Sequence, residues 1–388
     1  MKMERHLVLV GGGHAHMETL LNLYEFTRRG HRVTLISPSP YLYYSGMGPG
    51  MLSGIYRPQE VRFNIRKMAE DHNAAYLQDA VESVDPDRHS LTLRSGRKTP
   101  YDIASFNIGS EIDTGSASAS GDDVFPVKPI DNLLRARKHI LGGLTNRLQH
   151  IIIAGGGPAG VEISANVWRI IRDHSINAEI TLITNNRLME RFPLRVRRLC
   201  SESLRRKDIR IIEGNTVKTF ENNTAVLGNG QNLPFSVAFL AVGVRPAQIF
   251  RNSGLATAED GGLLVNAQLQ SVSHPGVFGG GDCIHLDGNP LPKVGVHAVK
   301  EGNLLCNNLI SALEGRQLAS YKPQRHYMLI FNMGDGRGIL WRNSLVVEGR
   351  FAFALKNYID RGFMKKYQIS GELTEEDELE EMSENQHR

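Results

Sequence analysis

The sequence predicts an α/β protein made of two similar strand–turn–helix units and a smaller C-terminal segment. The first observation is the apolar run that leads into a glycine-rich turn at residues 7–14 and continues with helical periodicity. The second is a repeat of this pattern at residues 151–162. The third is that each unit closes with a further apolar strand, which ends at Gly109 in one unit and at Gly243 in the other.

The first turn contains the residues expected where a pyrophosphate approaches the backbone: Gly11, Gly12, Gly13 and His14. A helix that starts at such a turn supplies N–H donors and a positive partial charge to the anion. His16 replaces the third glycine of the usual GxGxxG spacing, so a looser contact between helix and strand is expected. The next strand ends in Ser37, where an acidic residue usually binds a ribose hydroxyl.

The second turn has the complete GxGxxG spacing, with Gly155, Gly157 and Gly160. Two such turns in one chain predict two Rossmann-like dinucleotide-binding domains. The second strand of this unit ends at Thr184 without a carboxylate, and Arg187 follows it. Because an arginine can pair with a 2′-phosphate, the sequence favours NADPH at least as much as NADH.

Composition excludes several classes of protein. The 388 residues carry a net charge of +4, although the segment from Gly371 to Arg388 is strongly acidic. Three widely spaced cysteines argue against a disulfide framework and a zinc site, so we expect no metal. No apolar run is long enough for a membrane span, and a cytoplasmic location is expected. We expect no nucleic-acid partner, and a homo-oligomer is compatible with the sequence.

A third glycine-rich strand end, Gly281-Asp282, completes the pattern, because its carboxylate can accept from a cofactor hydroxyl. Together these features resemble the two-dinucleotide-binding-domain flavoproteins of the pyridine nucleotide-disulfide oxidoreductase superfamily. Further motifs are similar to an NADH-dehydrogenase-like group that occurs alone or fused to selenide, water dikinase: Gly11–His16, Tyr44–Gly50, Gly334–Arg337 and Asp360–Met364. The resemblance covers about residues 5–320 and implies FAD at the first turn and NAD(P)H at the second.

The resemblance also implies a domain order in which the chain leaves the FAD-binding domain and returns to it. We predict the first part of the FAD-binding domain at 1–118, the NAD(P)-binding domain at 119–254, the second part of the FAD-binding domain at 255–322, a C-terminal segment for quinone, membrane or interface contact at 323–370, and an acidic disordered tail at 371–388.

Four site residues follow from the resemblance. The N-terminus of the helix at Val296 and His297 is expected to face the negative charge of the reduced flavin, and Lys293 just before it can add a full charge. Glu162 matches a glutamate that lies by the flavin and nicotinamide in type II NADH dehydrogenases. We therefore predict catalytic roles for Glu162 and Lys293.

Departures from the better-known relatives leave three functions open. Tyr43–Met51 lacks the CxxxxC of disulfide reductases, and the glutamines of the quinone-site AQxAxQ motif are absent. The leading hypothesis is an FAD-dependent enzyme that passes electrons from NAD(P)H to a quinone. The alternatives are a sulfide- or selenium-linked oxidoreductase that uses Cys283, and a flavin-bearing sensor with a vestigial nicotinamide site.

A final feature is the helix predicted at residues 350–367. Five apolar residues fall on one face of it, with basic residues around or between them: Phe351, Leu355, Tyr358, Ile359 and Phe363, and Lys356, Arg361, Lys365 and Lys366. A basic amphipathic helix of this kind favours a peripheral contact with the inner face of a membrane.

Overall fold

The computed structural model describes residues 4–113, 118–119, 121–143, 147–323 and 326–375. The strands of the first segment are β1 (His6–Val10), β2 (Arg32–Ser37), β3 (Tyr41–Tyr43), β4 (Arg62–Asn64), β5 (Ala75–Gln78), β6 (Val81–Asp85), β7 (Ser90–Leu93), β8 (Lys98–Pro100), β9 (Ile103–Phe106) and β10 (Glu111–Ile112). Its helices are α1 (Met17–Leu21), α2 (Leu23–Thr27), α3 (Gly48–Leu52) and α4 (Ile65–Glu70).

The second segment repeats this alternation of strands and helices. Its strands are β11 (Ser118–Ala119), β12 (Val124–Pro126), β13 (Gln149–Ala154), β14 (Ala178–Thr184), β15 (Arg210–Glu213), β16 (Val217–Glu221), β17 (Thr224–Leu227), β18 (Asn232–Pro234), β19 (Val237–Leu240) and β20 (Val244–Arg245). Its helices are α5 (Asp131–Gly142), α6 (Pro158–Asp173), α7 (Leu194–Arg205) and α8 (Ile249–Asn252).

The remaining residues return to the first unit and then form the C-terminal segment. The return contains β21 (Leu263–Val265), β22 (Val277–Gly279), β23 (Ile284–Leu286) and α9 (Gly295–Leu313). The C-terminal segment contains β24 (Leu329–Asn332), β25 (Gly338–Arg342), β26 (Leu345–Gly349) and α10 (Arg350–Tyr367).

Two parallel five-stranded sheets with matching strand order form the centre of the molecule. The first has the order β22-β9-β1-β2-β5 and the second β12-β19-β13-β14-β15. The central strand β1 is buried along its whole length, as is typical of parallel strands covered on both faces. Each unit also carries an antiparallel meander, β6-β7-β8 in the first and β16-β17-β18 in the second. The predicted internal symmetry therefore extends over whole units.

The structure changes several predicted elements. The helix after the first turn is divided into a short 3-10 turn at His14–His16, then α1 and α2, which meet at Asn22. The predicted boundary between the first two domains, at residues 118 and 119, falls in strand β11, which pairs with β16. The basic stretch between residues 57 and 67 forms a 3-10 turn, strand β4 and the start of the short helix α4.

The C-terminal segment is a three-stranded antiparallel sheet, β24-β25-β26, against which α10 packs. Strand β24 also contacts α6 of the second unit, so this segment lies against both dinucleotide folds. Among the helices of the described ranges, none is both long and apolar enough to cross a bilayer.

Candidate functional site

The carboxyl ends of four parallel strands bring the predicted residues of the first unit to one edge of its sheet. Strands β1, β2, β9 and β22 run in the same direction, so the segments that follow them lie side by side. These segments contain Gly11, Gly12, Gly13 and His14, then Ser37, then Gly109, and finally Gly281 and Asp282.

Asn107, which the sequence analysis missed, connects these segments. It follows β9 and is 3% exposed. Its backbone oxygen accepts from the N–H of Gly13 at 3.2 Å, and its side-chain oxygen accepts from the N–H of Ala15 at 3.3 Å. Its amide nitrogen donates to the carbonyl of Gly280. An amide directly after a fully buried strand was the signal available in the sequence.

His16 occupies the position of the missing third glycine and is fully buried. Its ring nitrogens lie 2.6 Å from the carbonyl oxygen of Gly11 and 2.8 Å from the hydroxyl of Ser105. The imidazole therefore fills the space between the turn and β9, where the sequence analysis expected only a looser contact. Burial lowers the pKa of His16 to about 4, so the ring is neutral near pH 7.

Asp282 lies beside this turn with two partners in the described structure. Its Oδ2 accepts from Lys128 Nζ at 2.7 Å and from Ser110 Oγ at 2.8 Å. Burial opposes ionisation of this carboxyl, but Lys128 and Ser110 outweigh burial and hold its pKa below the usual value. Asp282 is thus ionised at neutral pH and can accept from a hydroxyl group. Lys128 is a second residue that the sequence did not reveal.

Helix α9 begins next to Asp282 and carries Val296 and His297 in its first turn. Within the described residues no side chain caps this N-terminus, and the N–H of His297 donates to the carbonyl oxygen of Val294 at 3.0 Å. His297 is 4% exposed, and neither of its ring nitrogens has a hydrogen-bond partner among the described residues. His297, Asp282 and Lys293 line one pocket together with Val294.

Lys293 is less available than predicted. Its ammonium pairs with Asp260 at 3.0 Å and donates to the carbonyl oxygen of Asp282 at 3.0 Å. Its catalytic role stays a prediction. Glu301, one of the pocket residues on α9, accepts from the N–H of Gly281 at 2.6 Å. Burial raises the pKa of Glu301 to about 7.

The second glycine turn connects β13 to α6 and places Gly155, Gly157 and Gly160 around the helix N-terminus. A β-carbon on Gly160 would collide with the carbonyl oxygen of Gly155, so this position admits glycine alone. Beside Gly157 and Gly243 no atom of the described residues would meet a β-carbon, which leaves open space along the turn. Nor does any side chain in the described part of the chain cap the helix here.

Arg187 lies in the loop after β14 and is exposed. The loop is fixed by Glu213, at the end of β15, whose carboxylate accepts from the N–H of Leu188 at 2.7 Å. Thr184 lies against the turn, at the position where a β-carbon on Gly156 would meet its hydroxyl. The loop that carries Arg187 therefore lies beside the second turn, to which the N–H of Met189 donates at the carbonyl of Gly156, and the carboxylate of Glu213 contacts the same loop.

Glu162 lies in the first turns of α6 and points toward the C-terminal segment. Its Oε1 accepts from the N–H of Asn332 at 2.7 Å. Burial raises the pKa of Glu162 to about 7, although Lys356 and the Asn332 N–H act in the opposite direction. A buried carboxyl whose pKa is shifted toward neutral pH is a common feature of functional sites.

Helix α10 places an aromatic cluster next to the first turn. Phe363 stacks on Tyr44 with 4.7 Å between ring centroids, and His14 meets the Tyr44 ring edge-on at 5.4 Å. Lys356 pairs with Asp360 at 2.7 Å and donates to the carbonyl of Gly46 at 2.7 Å. His14, Tyr44 and Phe363 thus form an aromatic cluster, and none of the three is a cysteine.

These contacts correct the predicted face of α10. Phe363 and Lys356 turn toward the protein, and the buried stripe consists of Ala352, Lys356, Asp360, Met364 and Tyr367. Phe351 and Tyr358 stay on the surface, with 70 and 78% exposure. Lys366 pairs with Glu18 at 2.7 Å.

The predicted disordered tail is wrong for its first residues. Glu372 is 1% exposed and accepts from the N–H of Asn64 at 2.9 Å. Glu375 pairs with Arg62, and its other oxygen accepts from Asn64 Nδ2 at 3.1 Å. Residues 376–388 lie outside the described part of the chain.

The three cysteines are buried and unpaired in the described structure: Cys200, Cys283 and Cys306. Cys283 lies beside Asp282, with its sulfur 3.3 Å from the carbonyl oxygen of Gly280. Burial raises the pKa of its thiol to about 12, so the nucleophilic thiolate is suppressed at neutral pH.

The first edge fits a bound dinucleotide by two independent criteria. Buried nitrogens of His14 and His297 have no partner among the described residues, although buried polar atoms are normally paired. The uncapped N-terminus of α9 faces the same edge. Both observations are expected where a polar ligand completes the site.

Comparisons with known proteins agree with this geometry. The family model of the pyridine nucleotide-disulphide oxidoreductases matches residues 5–302. Ferroptosis suppressor protein 1 of Taeniopygia guttata is 26% identical over 321 residues, which cover 77% of this chain and 79% of the relative.

Two solved structures share the fold. The sulfide:quinone oxidoreductase of Aquifex aeolicus superposes with a TM-score of 0.79 at 18% identity, and the match covers 94% of this chain and 92% of that one. NDH2 of Plasmodium falciparum in complex with NADH gives a TM-score of 0.80 at 16% identity, with coverage of 95 and 98%. The predicted α/β fold and superfamily are confirmed. The chain belongs to the pyridine nucleotide-disulphide oxidoreductase family and is an FAD-dependent enzyme that uses NAD(P)H.

Proposed function

We propose that this enzyme passes electrons from NAD(P)H to a quinone. The single observation that carries the proposal is the aromatic cluster of His14, Tyr44 and Phe363 beside the first turn, in place of the cysteines that disulfide reductases use. Stacked aromatic rings favour a flat ring as ligand, and a quinone head group is such a ring. Bound FAD supplies the exchange between a hydride donor and an electron acceptor.

In this proposal the first unit holds FAD. The turn at Gly11–His14 lets the pyrophosphate approach the backbone, and Asp282 accepts from a hydroxyl group. The N-terminus of α9 at Val296 would stabilise negative charge on the ring, whereas the N–H of His297 already donates to the carbonyl of Val294. Lys128 neutralises part of the charge that Asp282 brings to the site.

The second unit then holds NAD(P)H, with its pyrophosphate at the N-terminus of α6 and Glu162 toward the reacting ring. The exposed guanidinium of Arg187 is the group that would pair with a 2′-phosphate.

We expect Arg187→Ala to lower the preference for NADPH over NADH. An unchanged ratio of the two kcat/KM values would show that Arg187 does not bind the phosphate.

The quinone proposal is supported by the aromatic and apolar side chains on two sides of α10. Phe363 faces the aromatic cluster, whereas Phe351, Tyr358 and Ile359 are exposed on the outer surface. Exposed apolar side chains on one helix are suited to a lipid interface, where quinones dissolve. The structural neighbour from A. aeolicus is a sulfide:quinone oxidoreductase.

Sulfide chemistry has less support in this chain. The buried Cys283, with its raised pKa, is not an available nucleophile.

The proposed function is tested by anaerobic mixing of the purified enzyme with NADH, NADPH and sulfide in turn, followed by a short-chain quinone. We expect bleaching of the flavin by a nicotinamide coenzyme and recovery of its colour by the quinone. Bleaching by sulfide alone, or no recovery with quinone, would contradict the proposal.

A matched pair of variants tests the acceptor site. Phe363→Ala should slow recovery by quinone and leave bleaching by the coenzyme unchanged, because the ring lies in the aromatic cluster. Tyr24→Ala removes an aromatic ring that is 61% exposed on α2 and should change neither step. Equal rates of flavin recovery by quinone in the two variants would show that the aromatic cluster is not part of the acceptor site.

We also propose a peripheral membrane contact through the exposed face of α10. The corrected face predicts that Phe351→Asp/Tyr358→Asp lowers co-sedimentation with anionic liposomes. Because Lys356 is buried and Lys366 is paired, the dependence on salt should be weaker than a fully basic helix would show. Equal partitioning of wild type and double variant would leave α10 without a membrane role.

A further inference from the structure

Three buried polar side chains join three parts of the chain at one point. Ser53 follows α3 of the first unit, Asn166 lies in the middle of α6, and Asn332 ends β24. Their exposed fractions are 5, 0 and 1%. We call this cluster the amide junction.

The hydrogen bonds of the amide junction all meet at Asn166, which joins α6 to Ser53 on one side and to Asn332 on the other. The side-chain oxygen of Asn166 accepts from Ser53 Oγ at 2.8 Å and from Asn332 Nδ2 at 3.2 Å. The amide nitrogen of Asn166 donates to the backbone oxygen of Asn332 at 3.3 Å. Each unit therefore supplies a group that another unit needs.

Such a cluster specifies one arrangement of its elements. Apolar packing tolerates small shifts, whereas a buried amide that loses its partner bears the full cost of desolvation. The three polar groups are satisfied together only when α3, α6 and β24 keep this relative position. Apolar residues in their place would fill the same space without this geometric requirement.

The amide junction holds Glu162 from two sides. Asn332 donates its backbone N–H to Glu162 Oε1 at 2.7 Å. Asn166, one helical turn further along α6, donates to the backbone carbonyl of Glu162 at 2.8 Å. The carboxylate and the helix that carries it are thus fixed to β24 by neighbouring hydrogen bonds.

The motif Gly334–Arg337 explains why β24 stays in place. Gly334 has a φ of +73°, and a β-carbon there would collide with the carbonyl oxygen of Ala165 in α6. Its own carbonyl accepts from Arg169 Nη1 at 3.1 Å. Asp335 pairs at 2.8 Å with Lys207, whose side chain is almost fully buried.

We infer that the amide junction is a positioning device for electron transfer from the coenzyme, because it fixes the carboxylate of Glu162 relative to the FAD-binding unit. The inference rests on the proposed function, in which Glu162 faces the nicotinamide. Ser53, Asn166 and Asn332 act through Glu162 and are positioning residues. The C-terminal segment is consequently part of the active site of the two dinucleotide units.

The charge of Glu162 provides a specific readout. The groups that face it are Lys356 and Asp360 of α10, Tyr56 after α3, and Cys200 of α7. Burial raises its pKa to about 7, and the Asn332 N–H lowers it. Loss of that N–H therefore moves the pKa of Glu162 further upward.

The test compares the FAD-loaded wild type with Asn166→Leu, which keeps the number and branching of the side-chain heavy atoms without the amide. We expect the limiting rate of flavin reduction by NAD(P)H to fall about tenfold or more, because small misplacements of reacting groups lower rates by such factors. The Kd of the coenzyme should stay unchanged, and the pH midpoint of reduction should rise. Glu162→Gln should abolish the pH dependence of reduction, which would assign its midpoint to Glu162.

A second readout does not involve activity. Hydrogen–deuterium exchange at the backbone amides of residues 332–334 should be slow in the wild type and fast in Asn166→Leu, because the strand loses its attachment to α6. Arg206→Gln is the matched control, since it removes an exposed 2.7 Å ion pair with Glu348 across the same interface. It should alter neither the pH midpoint nor the exchange of these amides.

The outcomes separate this inference from the proposed function. A wild type that neither coenzyme reduces would overturn the proposed function. A wild type that is reduced, with an Asn166→Leu variant that keeps its rate, pH midpoint and amide exchange, would overturn the positioning role alone. If Asn166→Leu does not fold, Ser53→Ala is the second variant, because it removes one donor only. It should shift the pH midpoint of reduction upward by a smaller amount. An unchanged pH midpoint in Ser53→Ala would also overturn the inference.

Discussion

At the scale of single residues, His16 shows how a motif position can be filled in a different way. The second turn uses Gly160 to let helix and strand approach closely. In the first turn the imidazole of His16 satisfies the carbonyl of Gly11 and the hydroxyl of Ser105 instead. The turn is kept by hydrogen bonds rather than by the absence of a side chain.

The first prediction concerns stability and pH. His16→Ala should lower the free energy of unfolding by about 2–4 kcal/mol, because it leaves a cavity and two unpaired buried groups. In the wild type the pKa of His16 is about 4 when folded and about 6.5 when unfolded. Protons therefore bind preferentially to the unfolded chain, and stability present above pH 6.5 falls as the pH drops toward 4, by about 3 kcal/mol from this residue.

Urea unfolding at several pH values checks this. His16→Gln should show a shallower loss of stability between pH 6.5 and 4 than the wild type. His326→Gln alters an exposed histidine and should follow the wild type. The same slope in all three proteins would mean that His16 is protonated without cost in the folded state.

At the scale of elements, α10 owes its orientation to a buried ion pair. Periodicity defines several stripes along this helix, and the stripe that faces the protein contains both Lys356 and Asp360. The pair is 2.7 Å apart, and Tyr44 donates its hydroxyl to the other oxygen of Asp360 at 3.2 Å. Charges this deeply buried require a partner, so the helix cannot rotate without exposing or separating them.

The second prediction is a double-mutant cycle on this pair. Lys356→Met should lower the free energy of unfolding by about 3–5 kcal/mol, since it leaves the Asp360 carboxylate buried without its cation. Lys356→Met/Asp360→Leu should regain a large part of that loss. Thermal or urea unfolding measures both. A double variant less stable than the single one would show that the pair stabilises the fold beyond avoiding an unpaired charge.

At the scale of the whole molecule, the chain beyond α10 returns to the first unit. Gln368 donates to the carbonyls of Gln59 and Arg62, and Lys67 donates to the carbonyl of Ser370 at 3.0 Å. Glu372 and Glu375 then contact the segment around Asn64. These contacts hold α10, and with it Phe363, against the FAD-binding unit.

The third prediction follows from this attachment. A chain that ends at Ser370 should lose about 2–4 kcal/mol of stability, because Asn64 loses its acidic partners and Arg62 loses one of its bonds. Limited proteolysis should cut within α10 faster. A chain that ends at Glu375 keeps every one of these contacts and serves as the control. Equal behaviour of the two truncated chains would show that Glu372 and Glu375 do not hold α10.

The sequence predicted those parts of the site that depend on local chemistry. Glycine at fixed spacing after a buried strand specifies a turn, and the carboxyl ends of parallel strands meet at one edge. For this reason the turns at Gly11 and Gly155, the strand before Asp282 and the start of α9 lie where the sequence placed them. The exact bounds of α10 were also predictable, because helical periodicity is a local property.

What the sequence could not determine depends on residues that are distant along the chain. Asn107, Lys128 and the amide junction acquire their roles from partners in other elements, and no spacing rule links those partners. The same holds for the side of α10 that is buried. An amphipathic helix has one periodicity but several stripes of similar polarity, and the free energy of burying a charged pair is set by the groups across the interface.

By itself, then, the sequence determined the two dinucleotide folds, the family and the glycine positions of the two turns, since each of these follows from backbone geometry within a short segment. Only the tertiary structure decided that Lys356 and Phe363 face inward, that the tail begins by packing on Asn64, and that α6 is fixed to β24 at Glu162. The physical reason is that desolvation and hydrogen bonding depend on which groups meet in space, and those meetings exist only in the assembled fold.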